Sequence, residues 1–342
     1  MNISQKSSTQ RSSQTIKRKA ASITLPLFAL TCFVLALLIG ASDISIPSAI
    51  RALFEGDKAS IDLKILFYIR LPRALGAFFA GASLSVSGII IQAVLNNPMA
   101  APNLIGVNAG AGFFVILAMA LFREFLSFLP LAAFIGALLA ALLIYAISAL
   151  TDAGKITVTL VGVAIGSILT AGINTVKTLF PDSVYDVSGF LIGGLSGVNT
   201  ASVLPAIFLI VPALLLAWLF SGKLDALSLG AEVANGLGIR VKNARLLWLT
   251  LAAALAGAAV SFAGLIGFIG LIVPHLMRKF VGSSHKYLIP LSVFGGGGFL
   301  LAADTLSRSL FSPYELPVGI LLSLVGGPFF IICILTERRG AR

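Results

Sequence analysis

The sequence predicts an all-α polytopic membrane protein with about ten transmembrane helices, and three observations carry the prediction. Of 342 residues, 58% are hydrophobic and only 11% are charged, and the mean hydropathy is +1.03. A soluble domain carries about 25% charged residues, so a chain with less than half that share cannot cover itself with a wetted surface. Next, no Asp, Glu, Lys or Arg occurs between Arg73 and Arg123, Glu124 and Asp152, Asp186 and Lys223, Arg245 and Arg278, or Glu315 and Glu337. Each run can hold at least one helix of ~20 residues across ~30 Å of hydrocarbon. Finally, the runs do not alternate in polarity, which argues against a transmembrane β-barrel.

The elements follow in order, divided at Pro, Gly-Asn clusters and charges. Residues 1–19, polar and basic, read as a disordered cytoplasmic tail, and residues 20–342 as one transmembrane domain. The apolar segment after the tail is too long for a signal-peptide core and reads as a retained helix. Spans are expected at about Ala20–Gly40, Ala74–Leu95, Leu104–Phe122, Leu131–Leu150, Ile156–Phe180, Val203–Phe220 and Leu246–Phe262. After these comes SFAGLIGFIGLIVPHLMRKF, where Gly264, Gly267 and Gly270 each cost a helix about 1 kcal/mol against Ala. Such backbone at membrane depth must be buried in protein or line a cavity. Pro274 suits the first turn of a helix, so the stretch predicts a bend and then a short span, Pro274–Phe280. The last two spans are expected at Tyr287–Leu306 and Pro317–Thr336. Ten spans put both termini on one side. That side also receives Lys223, Arg240, Lys242, Arg245, Arg278 and Lys279, as the positive-inside rule asks of a cytoplasmic face. The pI near 10.0 therefore reports topology, and no nucleic-acid partner is expected.

Gly106–Gly110, Gly162–Gly166, Gly193–Gly197 and the run Gly295–Gly298 predict close helix crossings. Cys32 and Cys333 lie in apolar runs and read as small core residues. His275 reads as a packing or capping residue, and His285, beside Lys286, as a solvated loop residue. No metal or cofactor site is expected.

Catalytic chemistry is not visible. No G-x-x-x-x-G-K-[S/T] occurs, since Gly154-Lys155 and Gly222-Lys223 lack the upstream glycine and the following hydroxyl. An ion-gradient-driven secondary transporter is the alternative reading, but it wants acidic or His groups at mid-membrane, and these are almost missing. A translocation path here must be lined by neutral groups, and its energy must come from another protein.

Three blocks carry a resemblance. They are YIRLPRALGAFFAGASLSVSGIIIQAVLNNPMAAPNLIGVNAGAGF, LGAEVANGLGIRV, and GLIGFIGLIVPHLMRKFVGSSHKYLIPLSVFGGGGFLLAADTLSR followed by ELPVGILLSLVGGPFF. Together they resemble the iron-siderophore/vitamin B12 (FecCD-type) ABC importer permeases, from about Leu53 to Leu335. The resemblance implies a non-enzymatic inner-membrane permease subunit that takes up an iron-siderophore complex, haem or cobalamin. It also implies a second permease subunit (a copy or a paralogue), cytoplasmic ABC ATPase subunits and an extracytoplasmic substrate-binding protein. Carried over by motif, Arg70, Arg73 and Arg308 match outward-facing arginines that dock the binding protein. Leu229, Gly230, Glu232, Ala234, Leu237 and Gly238 match the ATPase-coupling segment. Asn97 and Met99 match a pore gate, and TDAGK lies where a second gate loop would be.

Overall fold

Each uncharged run contains at least one helix. A computed structural model describes residues 3–40, 60–122, 128–150, 155–181, 188–310 and 314–340, with isolated positions between 41 and 59. The helices are α1 (Ile3–Leu38), α2 (Leu71–Val94), α3 (Val107–Leu121), α4 (Leu129–Leu150), α5 (Lys155–Leu179) and α6 (Thr200–Leu219). Two short ones follow, α7 (Ser221–Ser228) and α8 (Ala231–Gly236). The bundle closes with α9 (Val241–Ala263), α10 (Ile269–Val281), α11 (His285–Ser309) and α12 (Val318–Gly340). Among the described residues, 7 helices are long and apolar enough to cross a membrane. The stretches 107–121 and 318–333 are shorter apolar helices, and α10 has 13 residues. Every expected span has its helix.

Three boundaries differ from expectation, two of them near the N-terminus. α1 is helical from Ile3, within the stretch read as a disordered tail. α2 is entered through helix from Ile61, with a π turn at Ile65–Arg70, where the sequence pattern predicts polar loop. The turn residues 151–154 and the stretch 182–187, expected as a gate loop and part of a surface helix, lie outside the described residues.

Lipid supplies no hydrophobic drive between helices, so close approach and interhelical hydrogen bonds hold them. α2 shows both. Apart from Leu75, Phe78 and Phe79, every residue from Pro72 to Val94 is buried. Gly81 lies on the Gly296 carbonyl of α11 and Gly88 on the Gly270 carbonyl of α10, and a methyl at either position would overlap that oxygen. The hydroxyls of Ser83 and Ser87 donate to the carbonyls of Leu255 (2.6 Å) and Ala252 (2.7 Å) on α9. The bare run Gly295–Gly298 touches Met277, Ser85, Phe78 and Phe28, as a thin helix face should. Gly110 meets Gly136 of α4 in the same manner, but Gly166 and Gly197 face open space rather than a neighbouring helix.

The glycine-rich stretch bends as expected, with Gly264 at φ 71 and Phe268 at φ 66. Its helix begins earlier than expected, at Ile269, so Pro274 lies inside α10 rather than in its first turn. Proline has no N–H for the carbonyl four residues back, which is that of Gly270. Gln92 of α2 supplies the donor instead, Nε2 to Gly270 O at 3.3 Å, and its Oε1 accepts from Arg278 Nη1. The defect in one helix is thus satisfied by its neighbour.

Candidate functional site

Three sites follow from this framework: a charged cluster at one end of the bundle, a groove along α5, and an exposed segment at the opposite end.

The cluster lies where α1 and α11 end and α2 begins. The last carbonyls of α1 have no partner within their own helix. Arg70 Nη1 donates to Leu37 O (2.6 Å) and Leu38 O (2.7 Å), and Arg308 Nη2 donates to Ala36 O (2.7 Å). Both cations also meet the negative end of the helix dipole. Arg73 grips Asp304 in a two-pronged pair, Nε–Oδ2 and Nη2–Oδ1 both at 3.0 Å, and reaches Glu315 Oε2 at 2.7 Å. Arg308 Nε stands 3.7 Å from Asp304 Oδ2. The resemblance anticipated outward-facing guanidiniums, but Arg70, Arg73 and Arg308 are 3%, 6% and 3% exposed. Their correction has a simple cause: a buried charge must be paired, and α1 and Asp304 supply the acceptors.

The groove runs along α5 and encloses about 720 Å³. Its polar lining is Asn103, Asn108, Ser167, Thr170 and Asn174, with Gly162 and Gly166 leaving room between them. Among the described residues no charged side chain lines it. Asn108 Oδ1 is buried without a hydrogen-bond partner among the described residues. Asn97 and Met99 are not part of this lining. Asn97 Oδ1 accepts from the Met99 N–H at 2.9 Å and closes the turn after α2. Met99 borders a small void with His275, Phe329 and Cys333. There His275 meets Phe329 edge-on, and its Nε2 lies 3.7 Å from Cys333 Sγ. Both cysteines are buried and free.

The exposed segment is α7–α8. Gly230, at φ 117, joins the two helices in a conformation that favours glycine, and Gly238, at φ 77, follows α8. Ala234 is fully buried and anchors the segment, whereas Glu232 is exposed. Leu229, Val233 and Leu237, four residues apart, are 69%, 46% and 65% exposed. Three bare aliphatic side chains therefore stand outside the bundle, Leu229 before the Gly230 break and Val233 and Leu237 after it. Exposed contiguous apolar surface of this kind marks an interaction site.

The FecCD transport family model matches residues 27–336. The chain belongs to the FecCD transport family. It is 36% identical over 319 residues to the Fe(3+)-citrate import system permease protein YfmD of Bacillus subtilis, across 92% of this chain and 95% of that one. It is 40% identical over 276 residues to the hemin transport system permease protein HmuU of Yersinia pestis, across 79% and 83%. It is 35% identical over 332 residues to the ferric enterobactin permease FepD of Escherichia coli, across 95% and 98%. A solved metal-chelate type ABC transporter in an inward-facing conformation superposes with a TM-score of 0.81 at 27% identity, covering 92% of this chain and 98% of that one. The chain is thus a multi-pass membrane permease subunit of the ABC-importer class.

Sequence reasoning missed several residues of this permease. The α5 lining was among them: Gly162, Gly166, Thr170 and Asn174 recur at every fourth position on one helix face, but the two glycines were read as a close helix crossing. Asp304 and Glu315 carried no local mark of being arginine partners. His285 was read as a solvated loop residue. It is instead the first residue of α11, 3% exposed, and its Nδ1 lies 2.6 Å from Asp225 Oδ1.

Proposed function

We propose that this permease forms the pore of an importer for a ferric chelate, is moved by cytoplasmic ATPase subunits seated on α7–α8, and receives its cargo from a binding protein at the arginine end. The exposed Leu229, Val233 and Leu237 carry this reading, because a membrane subunit without a P-loop needs a surface on which a motor can act. The surrounding cations, Lys223, Arg240, Lys242 and Arg245, support a cytoplasmic location for that end and hence for both termini. Iron citrate, haem and ferric enterobactin in the names of the relatives support a ferric chelate as cargo. The neutral α5 groove, shared with a second permease subunit, gives such a cargo a path without strong binding.

At the arginine end, Arg70, Arg73 and Arg308 set three positive charges against Asp304 and Glu315, and that excess suits an acidic face on the binding protein. Met99, beside the small void, is the side chain assigned to the gate, and Asn97 holds its turn. The chain itself hydrolyses nothing in this scheme.

Substituting Leu229→Asp and Leu237→Asp together tests the reading. Co-purification with the ATPase subunit and uptake of iron-55 ferric citrate or enterobactin should each fall about 100-fold, as for an interface hot spot, with the melting temperature unchanged. Retention of both would sink the proposal.

A further inference from the structure

The turn between α10 and α11 is held from three other elements. Arg18 of α1 donates from Nε to Val281 O at 2.8 Å, and its guanidinium lies 4.6 Å above the Tyr287 ring. Trp218 of α6 donates from Nε1 to Lys286 O at 3.2 Å. Asp225 of α7 makes the third attachment. Its Oδ1 accepts from the His285 backbone N–H at 2.9 Å and lies 2.6 Å from His285 Nδ1. One carboxylate oxygen thus caps the first turn of α11 and fixes its first side chain, and a negative charge there is favoured by the helix dipole. His285 is almost fully enclosed, and its Nε2 has no partner among the described residues, so its ring is held chiefly through Asp225.

α11 then runs 25 residues, about 37 Å at the helical rise, and its last turns carry Asp304 and Arg308. α7 continues through Gly230 into α8, which carries the exposed Val233 and Leu237. The Asp225–His285 joint therefore links the accessible segment to α11, one of the helices that end in the arginine cluster, beside the bond from Asn96 Nδ2 after α2 to Leu227 O of α7 at 3.4 Å.

We propose that Asp225 and His285 are positioning residues that pass displacement of α7–α8 into α11 and so to the Asp304–Arg308 end. The inference rests on reading α7–α8 as the motor-contacting segment. Arg18 and Trp218 steady the turn, while among the described residues Asp225 ties it to the moving part.

The test uses the full chain assembled with its ATPase and binding protein. His285→Ala and Asp225→Ala should each lower the ratio of binding-protein-stimulated to basal ATP hydrolysis by about fivefold or more, the lower range of allosteric coupling. The double variant should be no worse than either single one, because both remove the same joint. His285→Asn, whose amide nitrogen can replace Nδ1 as donor, should restore the ratio to within about twofold of wild type. Normal coupling in His285→Ala, or equal loss in His285→Asn and His285→Ala, would overturn the joint. Where the wild-type assembly itself shows no stimulation, the functional reading fails instead. The joint is then judged by hydrogen exchange of the full chain in lipid nanodiscs. His285→Ala should speed exchange across 221–238 by about tenfold and leave α3 and α4 unchanged; unaltered exchange across 221–238 would overturn it.

Discussion

The two ends of α11 hold charge in opposite ways. At the Asp304–Arg308 end, charged groups are enclosed and answered by one another and by the carbonyls of α1. At the His285 end, one carboxylate, itself partly exposed, meets one enclosed imidazole beside aliphatic side chains open to a partner. Enclosed charge resists change, because removing one member strands the others in a poor solvent. Partly wetted charge can change partners at small cost. The same helix therefore has a locked end and an accessible end, a sensible division in a part that must transmit motion without coming apart.

The difference is open to measurement, beginning with its largest consequence. Asp304→Ala removes the buried carboxylate that Arg73 and Arg308 share, leaving Arg73 only Glu315 and Arg308 only the Ala36 carbonyl, and removal of one partner of a buried pair costs about 3–5 kcal/mol. The purified permease should melt far lower or fail to accumulate, and an unchanged melting temperature would erase the distinction between the ends. Arg70→Ala uncovers the carbonyls of Leu37 and Leu38 and should cost about 1–3 kcal/mol, the penalty for an unsatisfied buried acceptor. Faster hydrogen exchange confined to the last turn of α1 would locate the loss. Glu315→Gln should change stability by less than about 1 kcal/mol, because that carboxylate is 32% exposed and surface pairs contribute little; a drop as large as that of Asp304→Ala would extend the locked end to Glu315.

The smallest effect belongs to Asp225. Burial raises its carboxyl, but hydrogen bonds from the His285 ring, the His285 N–H and Ser284 outweigh that and hold it below the usual value of 3.8. A depressed carboxylate contributes stability that is present above its unfolded value and is lost as pH falls through its folded one. The stability that Asp225 contributes to the α7–α11 joint should therefore be lost in acid, as pH falls below its usual value of 3.8. Asp225→Asn, followed by exchange of the 221–238 amides through that acid range, should abolish the acid-dependent step.

Much of the molecule was legible before folding. Uncharged runs set the helices, since charge is excluded from hydrocarbon at any position in a fold. The Gly264 bend and the α7–Gly230–α8 break follow from residues that act on their own backbone. The sequence alone thus determined what must lie in lipid, where the chain must turn, and the family to which it belongs, because each depends on local composition or on short ordered motifs. Tertiary structure decided which charges meet: Arg73 with Asp304, 231 positions away, and Asp225 with His285, 60 positions away. It also decided that Gln92 repairs the helix opened by Pro274, and that three arginines resembling surface groups are enclosed. Such pairings depend on which helices cross, and a side chain carries no record of the neighbour that will eventually share its dielectric.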